Sequence, residues 1–357
     1  MSLLSYIKGR GAQANPPNKF LKEQHEIRDD FLEYCDKENE SSSALKTAYR
    51  PIYPKTIVNK ITSPDVRMKY SMNPYQGCEH GCVYCYARNT HEFWGYSAGL
   101  DFEKQILVKH EAAALLEKKL RSRSWKAETI VLSGNTDCYQ PAEKKFKITR
   151  ECLEVFNKYK HPVGIITKNA LVLRDRDLLE SLHKDKLISV HVSVTSLSEE
   201  TRRLLEPRTT TIKRRLQTIK SLSDMGIPVN AMLAPIIPGI NSHEILDLAK
   251  AVSDAGASSF AITVVRLNGA IGQIFTDWIH KTMPNKADKV LNQIAECHGG
   301  QLNDSRFGVR TRGEGNIAEQ IHSLSSLAKR KYFQGRSMPE LNKELYLMYK
   351  EGQLRLF

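Results

Sequence analysis

Three cysteines, Cys78, Cys82 and Cys85, stand four and three residues apart in the run NPYQGCEHGCVYCYAR. One compact loop can bring three thiols at this spacing to a common centre. Three thiolates satisfy three of the four irons of a cubane cluster and leave the fourth open to an external chelate. The competing chemistry is a structural zinc site, which needs a fourth ligand such as His80 or His91. Structural zinc usually takes its ligands as two separated pairs, whereas here a single triplet is followed by an aromatic residue. Gly77 and Gly81 permit the tight turns such a loop demands. The other cysteines, Cys35, Cys138, Cys152 and Cys297, are scattered, so metal or redox chemistry in a reducing compartment is expected rather than a disulfide framework.

The elements that must position this loop are legible as β-rich runs at 129–133, 163–167, 187–194, 229–234 and 259–265, each followed by a helical stretch. The clearest helices, 148–160, 176–183, 212–225 and 243–255, carry apolar residues three or four apart. Strands alternating with helices predict βαβ units and a parallel sheet. With further strands expected at 66–72 and 105–108, a complete or partial α/β barrel fits best, and a doubly wound open sheet is the alternative. In a barrel, chemistry gathers at the carboxyl ends of the strands, and the cysteine run falls just after Met72. Residues 1–62, with Pro16, Pro17 and a polar run at 38–43, read as a partly flexible N-terminal extension; 63–300 read as the barrel and 301–357 as a C-terminal segment.

The chain has 357 residues, of which 41% are hydrophobic and 26% charged, an ordinary globular balance. No apolar run approaches the roughly 18 residues that span a bilayer, and the first residues lack the apolar core of a signal peptide, so no membrane partner and a cytoplasmic home are expected. The net charge of +13 is uneven: Arg202, Arg203, Arg208, Lys213, Arg214 and Arg215 face only Glu206 within 202–215, and Arg306, Arg310 and Arg312 form a second basic stretch near Gly313 and Gly315. Such patches suit phosphates, with a solvated surface as the alternative.

The cysteine run followed by Tyr86 resembles the signature of the radical S-adenosylmethionine superfamily. More narrowly, the chain resembles the spore photoproduct lyase-like (DNA-repair-photolyase-like) branch through GCEHGCVYCYAR, SGNTDCYQPAE, TKNALVLRDRDLL, HVSVTSLSEETRRLLEPRTTT and APIIPG, over about residues 70–315. GRGAQANPPNKF and DSRFGVRTRGEG are also similar to bacterial members of that branch. The resemblance implies an α/β fold, a partial (β/α)6 TIM-like barrel, with a 4Fe-4S cluster on Cys78, Cys82 and Cys85 and S-adenosyl-L-methionine on the open iron. It implies an electron donor such as flavodoxin or ferredoxin, reductive cleavage to a 5′-deoxyadenosyl radical, and hydrogen abstraction from substrate. It further implies that Thr136, Lys168 and Ser193 contact the polar groups of the cofactor, that Ala234 supplies backbone, and that Tyr84 and Tyr86 lie near the adenine. Read from the residues alone, Thr136 and Ser193 suit turns and Lys168 a solvated charge.

In the lyase a cysteine after the second barrel strand returns a hydrogen atom to the substrate radical, and the matching position here is Gly134. Cys138 follows four residues later, up to about 13 Å along a loop, and is a weak candidate donor or a small buried apolar residue. Asp137, Tyr139, Gln140 and Glu143 either line a substrate pocket or begin the next helix, with Pro141 near its start. The expected function is a radical enzyme acting on DNA or RNA in repair or base modification; the alternatives are the same machinery on a peptide or small metabolite, and a non-catalytic zinc-bearing nucleic-acid module. At the C-terminus, Gln353, Leu354, Leu356 and Phe357 follow a helical-looking stretch, 338–350, and resemble the short motif that docks on the sliding clamp of DNA polymerase, with a tail folded back on the barrel as the alternative.

Overall fold

The computed structural model describes residues 6–21, 46–66, 68–350 and 352. The tail residues Gln353, Leu354, Leu356 and Phe357 lie outside them.

The strands are β1 (Ala48–Pro51), β2 (Val58–Lys60), β3 (Tyr70–Met72), β4 (Tyr75–Gln76), β5 (Gln105–Val108), β6 (Ile130–Leu132), β7 (Val163–Thr167), β8 (Ile188–Ser193), β9 (Val229–Ile236) and β10 (Ser259–Val264). Seven of them form one sheet in the order β10-β9-β8-β7-β6-β3-β2. From β3 to β10 every pairing in that sheet is parallel, and β2 adds an antiparallel edge. A doubly wound sheet reverses its strand order at a switch point. Here the parallel strands follow one another in chain order without reversal, which is the progression of a (β/α)6 partial barrel.

Two expectations are corrected. The apolar run at 105–108 forms a strand, yet it pairs with β1 and β4 in a separate three-stranded sheet rather than in the barrel wall. Its Ile106, Leu107 and Val108 are all buried, so composition alone could not tell it from a barrel strand. The stretch 338–350 is also shorter as a helix than expected, covering Glu344–Lys350.

Alternation along the strands separates two environments. In β8, Ile188, Val190 and Val192 join the main core with Leu179 and Leu182 of the helix Arg176–Lys184 and Ile219 and Leu222 of the helix Ile212–Asp224. The intervening Ser189, His191 and Ser193 point to the opposite, inner face, where Asn230 Nδ2 lies 3.2 Å from His191 Nδ1. On β8 the outer face is therefore apolar and the inner face polar. The helix Gly315–Tyr332 packs on Ile245–Asp254 and closes the outer layer on that side. No described helix is long and apolar enough to cross a membrane.

Candidate cluster site

The cysteine loop runs from β4 into the short 3-10 helix Tyr86–Trp94, at the carboxyl end of β3. Gly77 and Gly81 adopt φ of +78° and +69°, the left-handed region that favours glycine. They also have no room for a side chain: a Cβ on Gly77 would lie 2.9 Å from the Gln105 carbonyl oxygen, and one on Gly81 2.8 Å from Glu103 Oε2. Cys78 and Cys82 are buried, Cys85 is half-buried, and none is in a disulfide. Cys78 is within electrostatic reach of both Cys82 and Cys85, and burial pushes the Cys78 and Cys82 thiols up.

Four elements converge to hold this loop. Behind it, the Gln140 amide donates to the Gly77 carbonyl and accepts from the Glu79 N–H, each at 3.0 Å, gripping the backbone on both sides of Cys78. Within it, Arg88 donates through Nε to the Cys82 carbonyl at 2.9 Å and pairs with Glu103 at 2.5 Å, both side chains being fully buried. Beneath it lies the segment around Gly11, where Glu103 also accepts from the Gly11 and Ala12 N–H groups at 3.2 and 2.8 Å. A Cβ on Gly11 would come within 1.7 Å of the Gly81 oxygen, so this stretch of the N-terminal segment is seated directly on the loop. Beside it, Asp137 accepts from the Lys168 N–H at 2.7 Å and the Thr167 hydroxyl at 2.9 Å, and its Oδ2 lies 3.3 Å from His80 Nδ1. Burial alone would raise the Asp137 carboxyl, but His80 and the backbone donors hold it below its ordinary value.

The residues implied as cofactor contacts take different positions. Lys168 follows β7, and burial works against its charge; nearby Cys82 and Glu206 outweigh burial and raise its pKa. Ser193 ends β8, with its side chain buried. Ala234 lies near the end of β9, before a cis bond to Pro235. Thr136 is buried and spends its hydroxyl proton on the Tyr75 carbonyl at 2.7 Å, the turn role open to it from sequence.

Tyr84 and Tyr86 diverge. Tyr84 is buried and donates its hydroxyl to Glu206, which also accepts from Thr195 at 2.8 Å and from Arg215 at 2.5 Å. Burial would raise Glu206, and Arg215 and Lys168 instead hold it at about 2. Tyr84 therefore anchors the loop to the β8 side of the barrel. Tyr86 remains 50% exposed and donates its hydroxyl to the Gly134 carbonyl. Burial nevertheless pushes its phenol up, the combination expected of a ring lining a concavity.

Cys138 is 0% exposed within the main core, its N–H bonded to Ser133 Oγ at 2.7 Å and its carbonyl to Thr149 at 2.6 Å. That placement fits the packing role open to it from sequence. Tyr139, Gln140 and Glu143 are likewise 0% exposed. Glu143 accepts from Tyr75 and pairs with Arg174, Tyr139 donates to Asp175, and the helix Ala142–Phe146 begins here, so these residues brace the loop rather than line a pocket. His80 is turned to Asp137, and His91 is buried between Tyr96 and Phe102.

The basic stretches also change character. Arg202 pairs with Glu199, Arg215 with Glu206, Arg208 with Glu79, Arg306 with Asp304 and Glu314, and Arg310 with Asp65. Arg202 and Arg215 are buried, and serve the interior rather than a solvated face. Sequence reasoning missed Arg88, Glu103, Asp137 as a loop anchor, and Arg266. Arg266 follows β10 and lies near Tyr86, Arg310 and Asp65. A hollow of about 610 Å³ along the helix Ile212–Asp224 touches no residue of the cysteine loop. The donor chemistry, not the size of a hollow, decides the site.

Three undisulfided thiols on a glycine-shaped loop, with an ammonium beside Cys82, fit a cluster and a charged cofactor. The comparisons agree. A protein of Mycobacterium tuberculosis, "Uncharacterized protein Rv2578c", is 34% identical over 233 residues, covering 64% of this chain and 68% of its own. "Uncharacterized protein MJ0683" of Methanocaldococcus jannaschii is 27% identical over 228 residues, covering 64% and 81%. A spore photoproduct lyase variant with bound AdoMet and dinucleoside spore photoproduct shares the fold at a TM-score of 0.60 and 15% identity, over 84% of this chain and 83% of that one. The Radical SAM superfamily description matches residues 72–252, and with half the chain so matched around Cys78, Cys82 and Cys85, the protein belongs to the radical SAM superfamily, whose members use a 4Fe-4S cluster and S-adenosylmethionine.

Proposed function

We propose that this radical SAM enzyme acts on nucleic acid, in a repair or base-modifying reaction. The observation that carries the reading is the group around Tyr86. Arg266 neighbours Tyr86 and Arg310, and the Arg310 guanidinium stands over the exposed Phe307 ring at 4.4 Å. The exposed Phe307 ring suits a base on the face that Arg310 does not cover, and Arg266 suits a phosphate, Arg310 being held by Asp65 and Ser63. The loop bearing Phe307 is tied to the barrel, since the Val264 N–H donates to the Thr311 carbonyl at 3.0 Å and the Gly308 N–H to Asp65 at 2.6 Å. Similarity of fold to an enzyme whose structure holds a dinucleoside supports the same reading.

When bound, the cluster and S-adenosylmethionine supply one-electron cleavage of the sulfonium and removal of a hydrogen atom from substrate. Cys78, Cys82 and Cys85 hold the cluster. Lys168 orients the cofactor carboxylate, Ser193 and the Ala234 backbone its polar groups, and Tyr86 borders its adenine. Gly134 offers no thiol and Cys138 is sealed in the core, so the reaction differs from the lyase's own in how hydrogen is returned. An electron carrier such as flavodoxin or ferredoxin feeds the cluster.

A second reading, a peptide or small-metabolite substrate, is favoured by the burial of Arg202 and Arg215 in pairs with Glu199 and Glu206, which takes two of the clustered cations at 202–215 off the surface. Superfamily membership leaves the non-catalytic zinc module without support. Binding of DNA and RNA oligonucleotides across salt concentrations separates the two substrate classes. The Arg266→Gln and Phe307→Ala proteins are expected to bind an oligonucleotide about tenfold more weakly, with undiminished iron content. Oligonucleotide binding that is absent from the unaltered protein, or unchanged in both variants, defeats the proposal.

A further inference from the structure

The parallel strands set their inward side chains in register. On β3, β6, β7 and β8, Ser71, Val131, Gly164 and Ser189 stand opposite one another as one inner layer. Barrel interiors are ordinarily filled by bulky branched residues. Here the layer offers one such side chain, and Ser71, Val131 and Ser189 keep 7%, 8% and 8% of their surface open. The next layer, toward the carboxyl ends of the strands, is Ile166, His191, Asn230 and Ser259, none of them an acid, a lysine or an arginine. Ser193 and Met232 lie in the layer after that.

Asn230 directs its amide nitrogen at two neighbours: Nδ2 lies 3.2 Å from His191 Nδ1 and 3.2 Å from Met232 Sδ. A thioether sulfur only accepts, which fixes Nδ2 as the donor and leaves Oδ1 as an acceptor. Because His191 Nδ1 receives a hydrogen from Asn230, the proton of the neutral ring sits on Nε2. Burial pushes this imidazole down to about 4, so the ring is neutral at pH 7. Among the described residues nothing bonds His191 Nε2 or Asn230 Oδ1, and neither atom is sealed from solvent. The lumen thus presents one N–H donor and one C=O acceptor side by side, on strands about 4.8 Å apart.

The chemistry of the pair selects its ligand. A phosphate is a poor match, since the pair carries no cation and one of its two groups is an acceptor oxygen. A trans peptide unit turns its N–H and C=O to opposite sides. A nucleobase carries a donor and an acceptor next to each other on its Watson–Crick edge, and enzymes that act on a base take it out of the stack and read that edge in a pocket. Ser193 lies two residues beyond His191 on β8, about 7 Å along the strand, so a base on the pair lies below the cofactor contact proposed above.

We infer that His191 and Asn230 read the Watson–Crick edge of the reacting base inside the barrel; this rests on the nucleic-acid reading above. His191 Nε2–H donates to a ring carbonyl or ring nitrogen, and Asn230 Oδ1 accepts from the neighbouring N–H of the base. The base on Phe307 is then a flanking one.

The test uses the full chain with its iron restored. Binding of single-stranded homopolymers of equal length is measured first, and then binding of the preferred one methylated at the ring nitrogen of its Watson–Crick edge. Methylation is expected to weaken binding to the unaltered protein about tenfold, with the slope of log K against log salt unchanged because the phosphates are untouched. In His191→Phe the unmethylated strand should bind about tenfold more weakly and methylation should cost nothing further, since the contact it blocks is already gone. Asn230→Ala, which removes the acceptor instead, should behave alike and serves where His191→Phe melts lower or retains less iron. If the unaltered protein binds the strands but ignores methylation, or if methylation costs as much in both variants as in the unaltered protein, the pair does not read the base and the inference is overturned while the nucleic-acid reading stands. If no oligonucleotide binds the unaltered protein, the nucleic-acid reading fails and the assignment of a base to this pair fails with it.

Discussion

Gln140 grips Cys78 from behind, one amide bonding the backbone immediately before and immediately after the cysteine at 3.0 Å each. Gln140→Ala leaves the Gly77 carbonyl and the Glu79 N–H buried without partners, at a cost of about 1–3 kcal/mol for each. The expected result is a lower melting temperature and a fall in iron retained per chain after desalting. Full retention of iron with unchanged stability would show that the loop holds its shape without this clasp.

The seat of the N-terminal segment is equally specific. In Gly11→Ala the new methyl group would lie 1.7 Å from the Gly81 oxygen, a distance no packing adjustment of a side chain can relieve. Residues near Gly11 should leave the loop, so trypsin should cut at Lys8 and Arg10 faster than in the unaltered protein, and reconstituted iron should drop. A protease-resistant, fully loaded Gly11→Ala protein contradicts the contact.

Much of this organisation was legible beforehand. The spacing of Cys78, Cys82 and Cys85 declared the loop, and β7, β8 and β10 stood out because Val163–Thr167, Ile188–Ser193 and Ser259–Val264 are short β-branched runs followed by amphipathic helices. Position 105–108 misled because a buried strand reads the same in any sheet. Arg202 and Arg215 misled for a different reason: a basic run looks solvated until distant chain supplies the burial, and Tyr84 and Glu206 meet across 122 positions. Glu103 was silent because its partners, Gly11, Ala12 and Arg88, are joined only by folding.

Acid should unfold the protein partly through Glu206. Its pKa lies at about 2 when folded, below the ordinary 4.5, because Arg215 and Lys168 outweigh burial. A depressed folded pKa adds stability above the unfolded value, and that stability is lost as pH falls from about 4.5 toward about 2. At about 1.4 kcal/mol per pH unit the contribution near pH 7 is about 3 kcal/mol. Glu206→Gln should therefore be less stable at pH 7 and show a flatter decline of melting temperature through the acid window. A variant with the same stability at pH 7 and the same acid slope removes Glu206 from this role.

The missing thiol can be tested by putting it back. A Cβ at Gly134 would meet Ser71 Cβ at 2.6 Å and its Oγ at 2.8 Å, and Ser71 is buried. Gly134→Cys alone should be destabilised by about 1–3 kcal/mol, the usual cost of overpacking. Adding Ser71→Gly should recover part of that loss, because the two positions compete for one space. Additive losses in the double variant would mean that Ser71 is not what closes the position.

The central claim, radical chemistry on nucleic acid at Cys78, Cys82 and Cys85, is tested most directly by following deuterium. Anaerobically reconstituted protein is incubated with a reductant, S-adenosylmethionine and uniformly deuterated DNA or RNA, and the 5′-deoxyadenosine formed is examined by mass spectrometry. The account predicts deuterium in that product with the unaltered protein and no 5′-deoxyadenosine with Cys82→Ala. Product formed with every nucleic acid yet free of deuterium would contradict the claim, as would cofactor cleavage that survives in Cys82→Ala with full iron content.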